Sequence, residues 1–340
     1  MSVDRFGTKF DCLYVATVTP YNQNHEVDES ALRNFLRYFM QPKFKDAGGG
    51  IIINPEAGEI FYLSREEKRR NVEIAVEECG GKVPVFAGVL DLRTEDAVKV
   101  AIDAKEAGAD GLFLIPPMGS IDVTLSWDAD KYPEVFIDMA KAEVDAVDLP
   151  AIVHPVAPAS PIFGIGLPLK ATLEMCRAIP NIVGWKMVYS YQGYRLVAMA
   201  LKELDRHVGI LSATAHYFHE NLANNCFDGT VTGMFNYGME PMIDHINAWR
   251  RNDIDEARRI WMSGLADLHH YVASENCSRL HVRYKVAAWL RGLIPLPYAR
   301  PPMPKPRREE ILKLRELLIK VGLSVIPETD INYVMAQLRS

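Results

Sequence analysis

The sequence predicts an α/β chain folded as a (β/α)8 TIM barrel with a C-terminal helical extension, and three observations predict it. Short apolar, β-branched runs alternate with helical patterns about eight times. Nearly all of those runs lack polar alternation, as parallel strands buried on both faces should. The alternations fill roughly 250 residues, the length of one such barrel. Residues 8–252 are assigned to the barrel and 253–325 to a helical segment packed on it.

The strand runs are 12–19, 50–54, 83–89, 111–115, 149–154, 182–186, 208–212 and 230–232. Helical patterns separate them at 29–40, 64–79, 94–108, 129–147, 168–178, 191–206, 215–225 and 239–251. The second helix has a legible start, because Ser64 offers a capping hydroxyl and Glu67 follows three residues later. Gly48-Gly49-Gly50 precedes a strand and not a helix, so it is no phosphate loop. Helical segments at 255–272, 278–291 and 307–321 follow the barrel. In the first of them Trp261, Leu265, Leu268 and Val272 share one stripe, which predicts packing against the barrel or a neighbouring subunit. The run Arg300-Pro301-Pro302-Met303-Pro304-Lys305-Pro306 reads as a stiff extended link.

Composition fits a cytoplasmic enzyme. A chain of 340 residues with 49% hydrophobic content can bury a large core. No apolar stretch approaches the roughly 18 residues needed to cross a bilayer, and Met1 to Arg5 lacks the pattern of a signal peptide. Five scattered cysteines without CxxC spacing argue against a disulfide framework or a structural zinc site. A net charge of -6 without a long basic run argues against a nucleic-acid partner.

Lys186 ends the apolar run Ile182-Val183-Gly184-Trp185-Lys186. Burial at a strand end penalises the ammonium form, and a neutral lysine is the nucleophile that forms a Schiff base with a carbonyl substrate. A structural ion pair would explain the same residue. Its place on the sixth of eight strands favours the chemical reading, because catalytic groups of such barrels come from the C-terminal strand ends.

Four further segments carry a family resemblance. They are Ala16-Thr17-Val18-Thr19-Pro20-Tyr21, then Gly58-Glu59 with Leu63 to Arg69, then Ala107-Gly108-Ala109-Asp110-Gly111, and Asn181 to Lys186. In order and spacing the chain resembles the dihydrodipicolinate synthase / N-acetylneuraminate lyase family of Schiff-base aldolases. The resemblance implies that Lys186 condenses with a 2-keto acid, usually pyruvate, and that the enamine attacks or leaves an aldehyde-type partner. It implies neither a metal nor an organic cofactor, and a homo-oligomer, dimer or tetramer. It also implies that Glu59 braces its loop.

Departures from the family pattern define the rest of the expected site. Glu56 and Ala57 stand where the family carries two threonines, so two hydroxyls are lost. An ionised Glu56 would repel a keto-acid carboxylate, so it is protonated, turned away, or facing a substrate donor. His154 replaces the family's tyrosine at the end of strand five and can pass protons near its own pKa at neutral pH. No arginine follows it in Ala157-Pro158-Ala159-Ser160-Pro161, which argues against the lysine-biosynthetic reaction. The expected catalytic residues are Lys186, His154 and Glu56. Thr19, Ala57, Met118, Tyr189, Ser212 and Thr232 are expected to bind substrate. Pro116, Pro117, Pro155, Phe163 and Trp185 would make the mouth apolar.

His216, His219 and Glu220 have the spacing of two metal ligands on a helix, but a zinc site needs a third, so no metal is assigned. His269, His270 and His281 are read as structural or interfacial. Three functions stay open: a carbon–carbon lyase (aldolase or hydratase-aldolase), a dehydratase or deaminase using the same imine, and a non-catalytic ligand-binding barrel.

Overall fold

The computed structural model describes residues 12–224, 226–277 and 279–337. The expected barrel start at 8, the chain's first residues and positions 225 and 278 lie outside the described residues. Eight parallel strands close into a barrel: β1 (Leu13–Ala16), β2 (Gly49–Ile53), β3 (Val85–Val89), β4 (Gly111–Leu114), β5 (Ala151–Val153), β6 (Ile182–Met187), β7 (Gly209–Ser212) and β8 (Gly229–Thr232). Closure is made by β1 against β8, with Val15 opposite Thr232. All eight fall inside or within a residue of the runs read from the sequence, because burial on both faces leaves each strand continuously apolar.

Two concentric cores hold the barrel. Tyr14, Ile52, Phe86, Phe113, Ile152, Leu211 and Val231 fill its interior, and a larger apolar layer joins the outer strand faces to the helices. A one-residue register shift between β5 and β6 pairs Ala151 with Ile182 but Ile152 with Gly184. This bulge fixes which side chains of β6 face inward, since side chains alternate along a strand. Gly184 faces the interior, where a Cβ would lie 2.7 Å from Leu211 Cδ1. Lys186, two residues on, therefore faces inward too, while Trp185 joins the outer core.

Helix Arg65–Cys79 starts as the sequence predicts, with a reciprocal capping box between Ser64 and Glu67. Helix Phe235–Arg250 starts four residues before the predicted 239 and is kinked at Gly238. Pro241 has no N–H to give to Tyr237 O, and that carbonyl instead accepts Arg291 Nη1. A hairpin of strands Val156–Ser160 and Gly164–Gly166 lies between the fifth strand run and the next helix without a strand signal in the sequence, because Pro155, Pro158 and Pro161 mask it and proline is confined to strand edges.

Beyond the barrel the 255–272 segment is three pieces, Ile254–Ile260, a π turn at Trp261–Leu265, and Ala266–Val272. Trp261, Leu265, Leu268 and Val272 are buried within the chain itself, which resolves the stripe in favour of packing on the barrel. Helices Leu280–Leu290 and Arg308–Lys320 follow, and Glu328–Gln337 extends past the expected limit at 325. Among the described residues no helix is long and apolar enough to cross a membrane.

Candidate active site

The loop after β2 is built from unusual backbone. Asn54 and Glu59 both sit at positive φ, 54° and 61°. The Asn54 side chain donates to Lys68 O at 2.8 Å and accepts from Asn71 Nδ2 at 2.9 Å, which holds the turn in place. Gly88 on β3 gives the turn room, since a Cβ there would lie 1.8 Å from Asn54 O. The tight turn Glu56–Gly58 follows and presents Glu56 to the barrel mouth. Glu59 anchors the far end: it pairs with Lys285 and accepts the Arg300 N–H at 2.7 Å. The bracing role expected of Glu59 is thus the one its contacts give it.

His154 follows β5, its own N–H bonded to Leu114 O at 2.8 Å. Its ring stacks on Phe113, with centroids 5.6 Å apart and planes 23° apart. Lys186 Nζ lies 5.6 Å from the centroid of the same ring. Phe113 is therefore a common floor under the imidazole and the amine. Nδ1 of His154 is 2.6 Å from Glu56 Oε2, within range for proton exchange though out of hydrogen-bond alignment.

These groups open on one cavity of about 370 Å³, lined among others by Ala16, Glu56, Ala57, His154, Lys186, Thr214, His216, Thr232, His281 and Tyr284. Its electrostatics follow from burial. Desolvation lowers the Lys186 pKa to about 8, with the Glu56 charge opposing. A lysine at that value holds ~300 times more neutral amine at pH 7 than a solvated one. Burial raises Glu56, against the pull of Lys186. Burial, then the charges of Lys186 and His281, push His154 well below the ordinary histidine range. The expectation that His154 titrates near neutrality is corrected: a buried imidazole beside an ammonium stays neutral.

Five of the nine residues singled out in the sequence come together here: Lys186, His154, Glu56, Ala57 and Thr232. Four do not. Thr19 is buried and spends its hydroxyl on Gly58 O at 2.8 Å, so it supports the loop from behind. Tyr189 lies outside the barrel, its hydroxyl accepting Trp185 Nε1 at 2.8 Å. Ser212 follows the inward-facing Leu211, so alternation turns it outward toward Tyr194 on the preceding helix, Tyr191–Lys202. Met118 lines an adjoining groove and not the lysine cavity. Trp185, expected at the mouth, is fully buried in the outer core.

The sequence reading missed the contribution of helix Leu280–Leu290. It places His281 and Tyr284 in the cavity wall. Burial, then Lys186 and Lys285, lower His281 to about 4, so it faces Lys186 as a neutral imidazole. Burial raises the Tyr284 hydroxyl, against a hydrogen bond with Thr232. The signal available was the helix itself: almost all of it is buried, Arg283 and Lys285 included, so it packs on every side. His216 lines the cavity while His219 turns away to bond His245, Nδ1 to Nε2 at 2.9 Å. The two cannot share one metal ion, and among the described residues no group of three or more His, Cys, Asp or Glu is placed to hold one.

A barrel whose inward lysine is held in a desolvated pocket beside a carboxyl and an imidazole has the arrangement of a class I lyase. Comparison with known proteins agrees. The model of the dihydrodipicolinate synthetase family matches residues 9–321, and the chain belongs to that family. It is 26% identical over 311 residues to an uncharacterized DapA-like lyase of Thermofilum pendens, covering 91% of this chain and 96% of that one. It is also 26% identical over 325 residues to the 4-hydroxy-tetrahydrodipicolinate synthase of Methanopyrus kandleri, covering 95% and 99%. In fold it is similar to dihydrodipicolinate synthase from Aquifex aeolicus, with a TM-score of 0.73, 24% identity and coverage of 93% and 99%. It is similar also to the prophage protein YagE of E. coli K12 in complex with pyruvate, with a TM-score of 0.76, 19% identity and coverage of 92% and 98%.

Proposed function

We propose that the chain is a Schiff-base carbon–carbon lyase, an aldolase or hydratase-aldolase, acting on a 2-keto acid related to pyruvate with an aldehyde-type partner other than that of lysine biosynthesis. The observation that supports it best is Lys186: an amine with its pKa near 8, facing a cavity whose wall includes Glu56 and His154. The neutral amine adds to the keto carbon and the carbinolamine loses water, its oxygen protonated from the His154–Glu56 pair. Loss of a C3 proton gives the enamine, whose carbon attacks the partner's carbonyl while a proton returns to the new alkoxide. Hydrolysis of the imine frees Lys186. The reverse sequence cleaves the same bond.

Glu56 fits this use in its protonated form. Burial raises its pKa, and a neutral carboxyl keeps a proton to give and does not repel a keto-acid carboxylate as a charged one would. Thr232 and Tyr284 are further polar groups in the wall. To the same proposal belong a cytoplasmic location and a homo-oligomer, dimer or tetramer, and light scattering on the purified protein would test the latter. The decisive experiment is incubation with pyruvate and borohydride, followed by peptide mass mapping. A reduced adduct on Lys186 is expected; no adduct with any 2-keto acid would leave a ligand-binding barrel as the reading.

A further inference from the structure

Beside the lysine cavity lies a groove of about 320 Å³, and Glu56 and Val156 line both. Its other walls are apolar: Phe61, Pro117, Met118 and Phe136 stand around the partly buried indole of Trp127. Glu56 is the one charged residue in its lining among the described residues, and Thr124 the one hydroxyl. That hydroxyl is already turned to Ile121 O, at 3.5 Å. We propose that this groove seats the tail of the second substrate, and that the tail is an aromatic ring or an apolar group of similar flatness. The proposal rests on the Schiff-base reading and adds the chemical class of the partner.

The argument is one of unmet polar groups. A polyhydroxylated or carboxylate-bearing aldehyde entering the groove would give up several hydrogen bonds to water and find Thr124 and Glu56 in exchange, and Glu56 faces the reacting centre. A flat apolar ring gives up little and gains contact with Phe61, Trp127 and Met118. The volume suits one or two fused rings. Because Glu56 stands at the junction, a carbonyl attached to such a ring is delivered between the enamine carbon on Lys186 and the group that protonates the new alkoxide.

The test uses the full-length protein with pyruvate and a panel of benzaldehyde, acetaldehyde, glyceraldehyde and succinic semialdehyde, with the Lys186 adduct and particle mass recorded for every variant. Benzaldehyde is expected to give a kcat/KM at least ~10-fold above glyceraldehyde and succinic semialdehyde. Trp127→Ala should cut the benzaldehyde-to-acetaldehyde ratio by ~10-fold, mainly through KM, with the pyruvate adduct still formed. Met118→Lys, on the exposed rim, should invert the order of benzaldehyde and succinic semialdehyde and serves if Trp127→Ala fails to fold. Preference for the hydroxylated or charged aldehyde, or ratios unmoved by both substitutions, would overturn the proposal while the adduct leaves the Schiff-base reading standing. A change in particle mass with unmoved ratios would overturn it too, marking the groove as a contact between copies. If no adduct forms but saturation-transfer NMR shows benzyl alcohol bound in a Trp127-dependent way, the groove assignment holds and the Schiff-base reading fails.

Discussion

Lys285 and Glu59 form an ion pair inside the protein although 226 residues separate them in sequence. Their side chains are 1% and 2% exposed. The Lys285 ammonium also sits 4.1 Å from the centroid of the Tyr21 ring, with the Arg300 guanidinium at 4.7 Å from it. The pair ties the loop that presents Glu56 to the helix that presents His281, so two walls of the cavity are set by one contact. Lys285→Met leaves the Glu59 charge buried without this partner and should destabilise the protein by about 3–5 kcal/mol, read from urea unfolding. Adding Glu59→Gln should recover a good part of that loss. A single variant with wild-type stability would show that Arg300 alone balances Glu59.

Under the proposed mechanism Lys186 should set the pH profile of imine formation. With its pKa lowered from 10.5 to about 8, the neutral fraction rises tenfold per pH unit below 8 and levels above it. Single-turnover trapping with pyruvate between pH 6 and pH 9.5 should follow that curve. A rate still climbing tenfold per unit at pH 9.5 would mean the cavity does not desolvate the amine.

Proton transfer separates from imine formation in the wall variants. His154→Gln, Glu56→Gln and His281→Gln should each slow turnover, the first two by about 10²–10⁴-fold and the third by ~10-fold or more, while the borohydride adduct at Lys186 persists. Since His154 and His281 are neutral at the working pH, the limb near pH 8 should survive in both variants and belongs to Lys186. Disappearance of that limb in His154→Gln would reassign it to the histidine.

Two histidines remote from the cavity set acid stability. His245 and His269 are fully buried, pack on Trp261, and have pKa values lowered to about 3, first by burial. Unfolding returns each to a value near 6.5, so the unfolded chain binds the extra protons. Stability is full above about pH 6.5 and falls as the pH drops below it, by up to about 1.4 kcal/mol per unit for each histidine. Urea midpoints measured from pH 7 to pH 5 should decline by an amount equivalent to about 2–4 kcal/mol, and His245→Phe should flatten the decline.

The barrel was legible because its signal is local: eight apolar runs at regular spacing need no knowledge of partners. Lys186, His154 and Glu56 were legible for a related reason, since each sits at or just past a strand end. Side-chain direction was less so. Tyr189 and Ser212 also lie at or just past strand ends, but the β6 bulge and the alternation at Leu211 send them outward, and neither is written in the local letters. The helix that carries His281 has the apolar character of a buried element, but which wall it meets depends on the Lys285–Glu59 pair, a contact between distant segments. Thr19 carried a hydroxyl of the right kind, already committed to Gly58 O.

The placement of His281 has a consequence for how the enzyme comes into being. The last barrel strand ends at Thr232, yet one wall of the cavity is supplied by helix Leu280–Leu290. On a ribosome, adding the ~50 intervening residues takes about 2–10 s, and the exit tunnel delays the helix further. During that interval a closed barrel would leave Lys186 open to water on one side, with far less of its amine in the neutral form that attacks carbonyls. Lys186 should thus gain its reactivity only once helix Leu280–Leu290 has docked, and a chain truncated before Leu280 should keep its strands and lose its chemistry.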